Sequence, residues 1–370
     1  RKKNFFNDTA TTEIYTLFES SAASDVYKRQ GEQAELNNIR GQLFAMRAYA
    51  HWELLQWFST SYTDGSALAA PYVDFVVTIE ELPRNTVAEM MAGITSDIAQ
   101  ARGLLSSSNS NILMSQDFLT ALEARMALYT ENFSVAASKA QELIDKYPLA
   151  NRAQYEAMFN DADNTEVIFK LERVTGDFPV GGIWVFTGSG NAFLEMSNSL
   201  YDVLNPADIR RDVNFWAERS DPDNNLHYIG KYNGPGFLND LKVFRVSEMH
   251  LIRAEALARS GQLDDAALSV KAVRDARFEV DTTPDTYANA TEAVLAILDE
   301  RRVELAYEGH RYLDIRRTRD LTGIGIVRAA IDCPDGNCEL PPSDFRFNLP
   351  IPLAELNAND NMVQNPGYGS

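Results

Sequence analysis

The fold is decided by ARMALYTENFSVAASKAQEL (residues 124–143) and AEALARSGQLDDAALSVKAV (residues 254–273), two stretches that share one apolar pattern at an offset of 130 residues. In each, alanines and larger apolar residues recur at helical spacing on both sides of a short polar break, residues 130–132 and residues 260–262. Small side chains on facing surfaces let paired helices approach closely, as in tetratricopeptide-type hairpins. The sequence therefore predicts a mostly α-helical scaffold of helix–turn–helix units.

Two further helices are predicted before the first hairpin. From Asn38 onward, apolar residues recur at three- and four-residue steps, which predicts a helix with a core-facing stripe. That stripe consists of Ile39, Leu43, Met46, Ala50, Leu54 and Trp57. Glu89 follows Thr86 by three residues, a capping-box pattern that predicts the start of the second helix. Its apolar face consists of Val87, Met90, Ile94, Ile98 and Leu105.

Composition excludes several classes of protein. With 370 residues, of which 45% are hydrophobic and 24% charged, the chain is long enough to bury a large core. Its net charge of −19 argues against nucleic acid as a partner, because phosphate binding depends on clustered Lys and Arg. No stretch approaches the roughly 18–20 uncharged apolar residues that a membrane-spanning helix needs.

Signatures of cofactor-dependent or metal-dependent chemistry are missing from the sequence. It contains no phosphate-cradling glycine loop, no dinucleotide fingerprint and no Gly-x-Ser-x-Gly elbow. The histidines show no metal-ligand spacing, and we expect each of them to be structural: His51, His227, His250 and His310. We therefore expect no catalytic residues, no cofactor and no metal site.

The densest charged run, residues 299–311, contains the strongest enzyme-like pattern. Glu300, Glu304 and Glu308 recur at four-residue steps on one predicted helical face, and a glycosidase can draw paired carboxylates from such a face. Neighbouring arginines offer ion partners: Arg301, Arg302 and Arg311. We favour a structural role over a catalytic one.

The two cysteines, Cys333 and Cys338, are separated by Pro-Asp-Gly-Asn. The Asp-Gly pair suits a tight turn, so a small-loop disulfide is plausible in an oxidising compartment. Two free thiols in a loop are the alternative, and a zinc site is a poor third because no histidine lies nearby in sequence.

The N-terminal segment does not fit the rest of the chain. Residues 7–16 (NDTATTEIYT) and 20–30 (SSAASDVYKRQ) have no apolar periodicity and resemble conceptual translations of sequencing-library adapters. We interpret residues 1–30 as an adapter-derived artefact, expect it to be disordered, and set it aside as a tag would be. On this interpretation the genuine chain is truncated at its N-terminus.

Residues 176–240 differ from the helical remainder, because they are rich in Gly, Asn, Asp and Pro and carry many aromatics. These aromatics are Phe178, Trp184, Phe186, Phe193, Tyr201, Phe215, Trp216, Tyr228, Tyr232 and Phe237. Long ordered loops in a helical body usually carry function. We therefore expect a mostly irregular segment that holds the functional site.

Several collinear blocks resemble the SusD/RagB family in order and spacing. They are RAYA (47–50), FRVSE (244–248), RAEA (253–256) and ERRVELAYEGHRYLDIRR (300–317). The closing segment, from LPIP (349–352) to QNPGY (364–368), is similar to the family's ending nearly residue for residue. The resemblance extends over nearly all of residues 38–370, and we predict one SusD/RagB-like domain over residues 31–370 that lacks its native N-terminal part.

The resemblance implies a nutrient-binding lipoprotein with a fold of tetratricopeptide-like hairpins and an irregular ligand-binding side. It implies a lipid-anchored position on the outer leaflet of a Bacteroidota-type outer membrane, at the cell surface beside a SusC-like TonB-dependent transporter. The expected role is capture of an oligosaccharide and its delivery to that transporter, without catalysis. The family's lipidated cysteine has no counterpart in this sequence, which we attribute to the truncation.

A sugar ring is held by aromatics stacked on its apolar face and by hydrogen-bonding side chains around its rim. On that basis the predicted ligand-binding residues are Trp184, Trp216, Tyr228, Tyr232, Asn191, Asn225 and Asn233, with Trp57 and Tyr62 as additions. Each aromatic has the alternative role of anchoring its loop against the helices. Three alternative functions remain: a helical glycoside hydrolase using Glu300 and Glu304, a tetratricopeptide-like protein-interaction scaffold, and a peptide-binding variant within the family.

Overall fold

The structure is a computed structural model that describes residues 33–77, 80–107, 110–186, 188–333 and 335–369. The predicted adapter-derived segment lies outside these described residues. Within them the helices are α1 (Gln33–Phe58), α2 (Val87–Leu104), α3 (Gln116–Tyr129), α4 (Phe133–Ile144), α5 (Arg152–Phe159), α6 (Asn198–Tyr201), α7 (Ile209–Asn214), α8 (Val246–Arg259), α9 (Leu263–Arg277), α10 (Ala290–Glu304), α11 (Arg311–Thr322) and α12 (Leu353–Ala358). The strands are β1 (Val167–Leu171), β2 (Leu241–Arg245), β3 (Ile326–Val327) and β4 (Glu339–Leu340). The predicted mostly α-helical class is confirmed.

The chain divides into two compact units. The first unit contains the described residues before Asn109 and after Phe347, with α1, α2 and α12. The second unit, Asn109–Phe347, contains the other helices and two antiparallel sheets of two strands, β1 with β2 and β3 with β4. The single domain predicted over residues 31–370 stays a prediction. In the described part of the chain, no helix combines the length and the apolar character needed to cross a bilayer.

Helix α1 is present as predicted, but its predicted core face is wrong. Ile39, Met46 and Leu54 are 47%, 43% and 40% exposed. The buried residues of α1 are instead Gly41, Ala45, Ala48, His51, Trp52, Leu55 and Gln56. The small residues on this face explain why it is buried. A Cβ atom on Gly41 would lie only 2.9 Å from the backbone nitrogen of Leu105, at the end of α2, so a larger side chain would not fit there. Close packing on α2 selects the face with the smallest side chains.

Helix α2 confirms its prediction in detail. Thr86 is the N-cap, and the reciprocal capping box with Glu89 is formed. Asp97 on its buried side receives two hydrogen bonds from Arg47 of α1, of which the Nε bond is 2.8 Å long, and one of 2.7 Å from the hydroxyl of Tyr72. A buried carboxylate therefore has three donors, which compensates for the loss of its hydration.

The C-terminal segment is held to the first unit by side-chain bonds to backbone carbonyls. Arg84 donates to the carbonyl of Phe58 at 2.9 Å and to that of Val363 at 3.0 Å. The amide of Asn365 donates to the carbonyls of Phe58 at 2.9 Å and Leu349 at 2.7 Å. These bonds give the QNPGY block at residues 364–368 a structural role.

The two predicted hairpins form as α3–α4 and α8–α9, and α4 packs against α8. Their turns match, because the middle residue of each has a left-handed backbone, Glu131 at φ 60° and Gly261 at φ 80°. Ala136, Ala140 and Ala254 are fully buried, so the helices approach closely as expected. This arrangement confirms the tetratricopeptide-like prediction.

The described part of residues 176–240 contains only two short α-helices, α6 with four residues and α7 with six, and several 3-10 turns. The predicted irregular character is therefore confirmed. Two buried cations from this segment, Arg210 and Lys231, reach the helical body. Arg210 donates to Glu300 at 2.5 Å, and the ammonium group of Lys231 donates to Glu308 at 2.8 Å.

A buried ion-pair network centres on Glu304, which is fully buried at the end of α10. Its carboxylate accepts hydrogen bonds from Arg210 at 3.3 Å, from Arg245 at 2.8 Å, and from Arg277 at 3.0 and 2.9 Å. Arg277 also donates to Glu166 at 2.9 Å. Burial raises the pKa of Glu304, but the charges of its arginine partners outweigh burial and hold it well below its usual range.

The predicted partners of the glutamates were wrong. Glu300, Glu304 and Glu308 do not share one helical face, because α10 ends at Glu304 and Glu308 lies in the following turn. Their partners come from other elements: Arg210, Arg274, Arg245, Arg277 and Lys231. Among the arginines next to them in sequence, Arg301 pairs with Asp314 on α11. These buried ion pairs agree with the structural role that the sequence predicted for the three glutamates.

Glu304→Gln is expected to lower the free energy of unfolding by about 3–5 kcal/mol, because it leaves buried guanidinium charges without their shared carboxylate. Denaturant titration followed by circular dichroism measures the change. Glu142→Gln, at an exposed position of α4, is the matched control and should leave stability unchanged within about 0.5 kcal/mol. Equal midpoints for the two variants would show that the network contributes little.

Acidification is expected to destabilise the second unit in two stages. Burial lowers the pKa of His310 from 6.5 to about 4, so stability is lost as the pH falls through that window. Burial raises the pKa of Glu308, but the charges of Arg245 and Lys231 outweigh burial and lower the pKa from 4.5 to about 2. The free energy of unfolding therefore falls a second time as the pH drops through that range. Denaturation midpoints measured across both windows check this, and a midpoint that does not fall with pH contradicts it.

Candidate functional site

A short hairpin, described at residues 184–186 and 188–194, presents two aromatic rings to solvent. Val185 and Ala192 form its antiparallel bridge, and Phe193 donates its backbone N–H to the carbonyl of Trp184 at 2.7 Å. The rings of Phe186 and Phe193 are 55% and 61% exposed and meet edge to face at 5.1 Å between centroids. An exposed aromatic pair on an ordered hairpin is a surface on which a ring-shaped ligand can stack.

Trp216 lies beside this hairpin in a cluster organised by Arg219. The guanidinium carbon of Arg219 is 5.3 Å from the ring centroids of both Trp216 and Tyr228. A Cβ on Gly190 would lie 2.8 Å from the Nη1 atom of Arg219, so this glycine lets the hairpin approach the cation. Arg219 thereby connects the tip of the hairpin to the half-buried indole of Trp216.

A pocket of about 250 Å³ lies on another side of Trp216. Its polar lining residues are Glu156, Asn160, Asp212, Glu218 and Asn233. The three carboxylates are exposed, so they are hydrated acceptors for hydroxyl groups. The volume of about 250 Å³ is below the roughly 300 Å³ at which small-molecule pockets begin, so the pocket can hold one sugar ring of a longer glycan. We define the Trp216 site as this pocket with Arg219 and the Phe186–Phe193 pair.

Only some of the predicted ligand-binding residues lie in the Trp216 site. Trp216 and Asn233 line the pocket, and Asn191 is exposed next to Gly190 in the hairpin. Asn225 lies at the end of a tight turn, where its left-handed backbone (φ 57°, ψ 38°) gives it a conformational role. Tyr228 is 7% exposed and contacts Trp216 edge to face, so it supports the site from below.

Burial removes two other predicted aromatics from the surface. Trp184 is 6% exposed and Tyr232 is fully buried, and their rings pack together with centroids 6.0 Å apart. These residues anchor the loops against the core, which corrects the expectation that they stack on a ligand. Trp57 and Tyr62 belong to the first unit. Trp57 is half-buried, and Tyr62 is 8% exposed with its hydroxyl bonded to the carbonyl of Gln56 at 2.9 Å.

Three residues of the Trp216 site are not among the predicted ligand-binding residues: Phe186, Phe193 and Arg219. A signal for the first two was present, because both flank Thr-Gly-Ser-Gly, a turn sequence that predicts a hairpin. No phenylalanine is among the predicted ligand-binding residues, yet Phe186 and Phe193 are the most exposed rings of the hairpin. Arg219 had no local signal, since its position depends on its contact with Gly190 across the loops.

Two further predictions concern metals and cysteines. In the described ranges no group of three or more His, Cys, Asp or Glu side chains is arranged to hold a metal ion.

Cys333 and Cys338 are joined in a disulfide with their Cα atoms 5.5 Å apart. The bond closes the loop between β3 and β4.

Comparisons with known proteins identify the family. A family model described as "SusD family" matches residues 227–368, and a second, described as "Starch-binding associating with outer membrane", matches residues 13–128. A SusD-like protein of Formosa agariphila is 25% identical over 91% of this chain and 75% of its own length. The starch-binding protein SusD of Bacteroides thetaiotaomicron is 29% identical over 35% of this chain and 22% of its own length.

A solved structure agrees with these sequence matches. A SusD superfamily protein of Bacteroides vulgatus superposes with a TM-score of 0.78 at 27% identity, covering 97% of this chain and 84% of the other. The similarity therefore includes both the helical hairpins and the loop-rich segment. The two family models, the relatives and the solved structure together support a SusD/RagB family protein.

Proposed function

We propose that this protein is a glycan-binding protein of the cell surface that captures an oligosaccharide and delivers it to a TonB-dependent transporter. The observation that carries the proposal is the Trp216 site. It combines a half-buried indole, an exposed aromatic pair and a pocket of about 250 Å³ with carboxylate and amide lining. Aromatic faces suit the C–H side of a sugar, and acidic and amide groups suit its hydroxyls.

Family relationships support the glycan part of this proposal. One matching family is described as starch-binding and as associating with the outer membrane, and the Bacteroides relative is named a starch-binding protein. Delivery to a SusC-like transporter and attachment to the outer leaflet through a lipid are the finer parts of the proposal, which the family resemblance supports. The alternative is a peptide ligand in place of the glycan, and ligand screening would distinguish the two.

The charge state of Glu300 and Glu304, the candidate catalytic carboxylates, favours a binding role over hydrolysis. A glycosidase needs a carboxylic acid whose raised pKa keeps it protonated near neutral pH. Burial raises the pKa of Glu300 and of Glu304, but their arginine partners outweigh burial and lower both below the ordinary value. Both carboxylates are therefore charged and fully engaged in ion pairs, and neither is available as a general acid.

Trp216→Ala is expected to weaken binding of a neutral oligosaccharide roughly tenfold, because the ligand loses its stacking surface. Phe186→Ala combined with Phe193→Ala should act in the same direction. A neutral glycan array identifies the ligand, and calorimetry measures the dissociation constant for each variant. Phe75→Ala, at a 51% exposed aromatic of the first unit, is the matched control. The proposal fails when all variants bind like the control.

Trp184→Ala is expected to behave differently, since this ring is part of the core. Its removal should lower the free energy of unfolding by about 3–5 kcal/mol, the usual loss for a large buried aromatic. Thermal denaturation beside Trp216→Ala makes the comparison direct. A Trp184 variant with unchanged stability and weaker glycan binding would restore the original surface prediction.

A further inference from the structure

The second unit contains a larger cleft that the Trp216 site does not use. Its volume is about 1100 Å³, and it lies between α10, α11 and the segment that carries β3 and β4. It shares no lining residue with the 250 Å³ pocket. Most lining side chains are apolar, among them Leu200, Leu295 and Ile315, with a few polar groups that converge on the space. Such a composition is typical of small-molecule sites.

Two arginines in the cleft differ from those of the ion-pair network. Arg302 donates to the hydroxyl of Ser199 at 2.7 Å, and Arg311 donates to the carbonyl of Leu298 at 3.0 Å. Within the described residues, neither lies within 4.0 Å of a carboxylate oxygen. Each guanidinium has five N–H donors, so most of them are open to a ligand. Arg210, Arg245 and Arg277, by contrast, are all paired with carboxylates.

The charge balance of the cleft also points to an anion. Arg302, Arg311 and Arg328 line it against two carboxylates, Asp299 and Glu339, whereas the whole chain carries a net charge of −19. Burial and then the nearby charge of Arg302 lower the pKa of Arg311 below its ordinary value. The carboxylates of Asp299 and Asp314 act in the opposite direction without outweighing these two effects, and a bound oxyanion would add the missing countercharge.

Tyr307 adds a third open group. It lines the cleft, and its buried hydroxyl has no hydrogen-bond partner among the described residues. Its backbone has a left-handed conformation at φ 64°, which is strained for a residue with a large side chain. An unsatisfied buried hydroxyl is costly, and a ligand in the cleft would provide the missing partner.

We propose that this cleft is a second binding site, for a saccharide-sized ligand that carries an oxyanion, with Arg302 and Arg311 binding the acidic group and Tyr307 donating a further hydrogen bond. Apolar lining residues would contact the ring of the ligand. The proposal is independent of the neutral-glycan function of the Trp216 site, because the two pockets have no lining residue in common.

Calorimetry with trigalacturonate, its neutral methyl ester, and inorganic sulfate tests the proposal. Wild-type protein should bind trigalacturonate, and the methyl ester should bind roughly tenfold to a hundredfold more weakly. Sulfate that competes with trigalacturonate would identify the oxyanion alone as the recognised group, and sulfate that does not compete would identify the acidic sugar. Absence of binding by both acidic ligands overturns the proposal.

Variants locate the binding. Arg302→Gln with Arg311→Gln should weaken trigalacturonate binding roughly tenfold or more, whereas Arg40→Gln, at an exposed position of α1, should bind normally. Tyr307→Phe should also weaken binding without lowering the melting temperature, since its hydroxyl has no internal partner to lose. Equal affinity of the double variant and Arg40→Gln overturns the proposal. Trp216→Ala is expected to bind trigalacturonate normally, so failure at one site is distinguishable from failure at the other.

Discussion

The carboxylate of Glu304 is fully buried and receives hydrogen bonds from three arginines that belong to different parts of the second unit. Arg210 comes from α7, Arg245 from the end of β2, and Arg277 from the end of α9. A single buried charge of this kind is stable only with well-placed partners, so the positions of three elements are coupled to one side chain. The hairpin scaffold and the loop segment depend on that coupling.

The irregular segment needs such an anchor because it has little regular structure of its own. Arg210 and Lys231 both reach the region around Glu304, and Trp216 lies between them in sequence. Gly230 adds a backbone constraint, since a Cβ there would lie 2.7 Å from the carbonyl of Val213. The loop around Trp216 is thus fixed on both sides by buried cations, which positions the site although its own segment contains only short helices.

The sequence predicted what depends on local patterns. The hairpins around Ala136 and Ala266 and the capping box at Thr86 follow from neighbouring residues, and all of them are confirmed. The buried face of α1 could not be predicted in this way. Large apolar residues such as Met46 lie on one face and small ones such as Ala45 on another, and only the close approach of α2 decides between them.

Long-range contacts explain why the partners predicted for Glu304 and the exposure predicted for Trp184 were wrong. The partners of Glu304 are far from it in sequence, so neighbouring arginines were a poor guide. Burial separates Trp184 from Trp216 although both are loop tryptophans, because the contact of Trp184 with Tyr232 exists only in the folded core.

The bond from Arg84 to the carbonyl of Val363 connects positions 279 residues apart, while the second unit is continuous in sequence. During synthesis Arg84 is made long before Val363. The continuous second unit can fold before residues 348–369 are made, whereas the first unit completes its bonds only once those residues are available. The unit that holds the earlier residues is therefore the one completed later, and the bond from Arg84 to Val363 forms only at that stage.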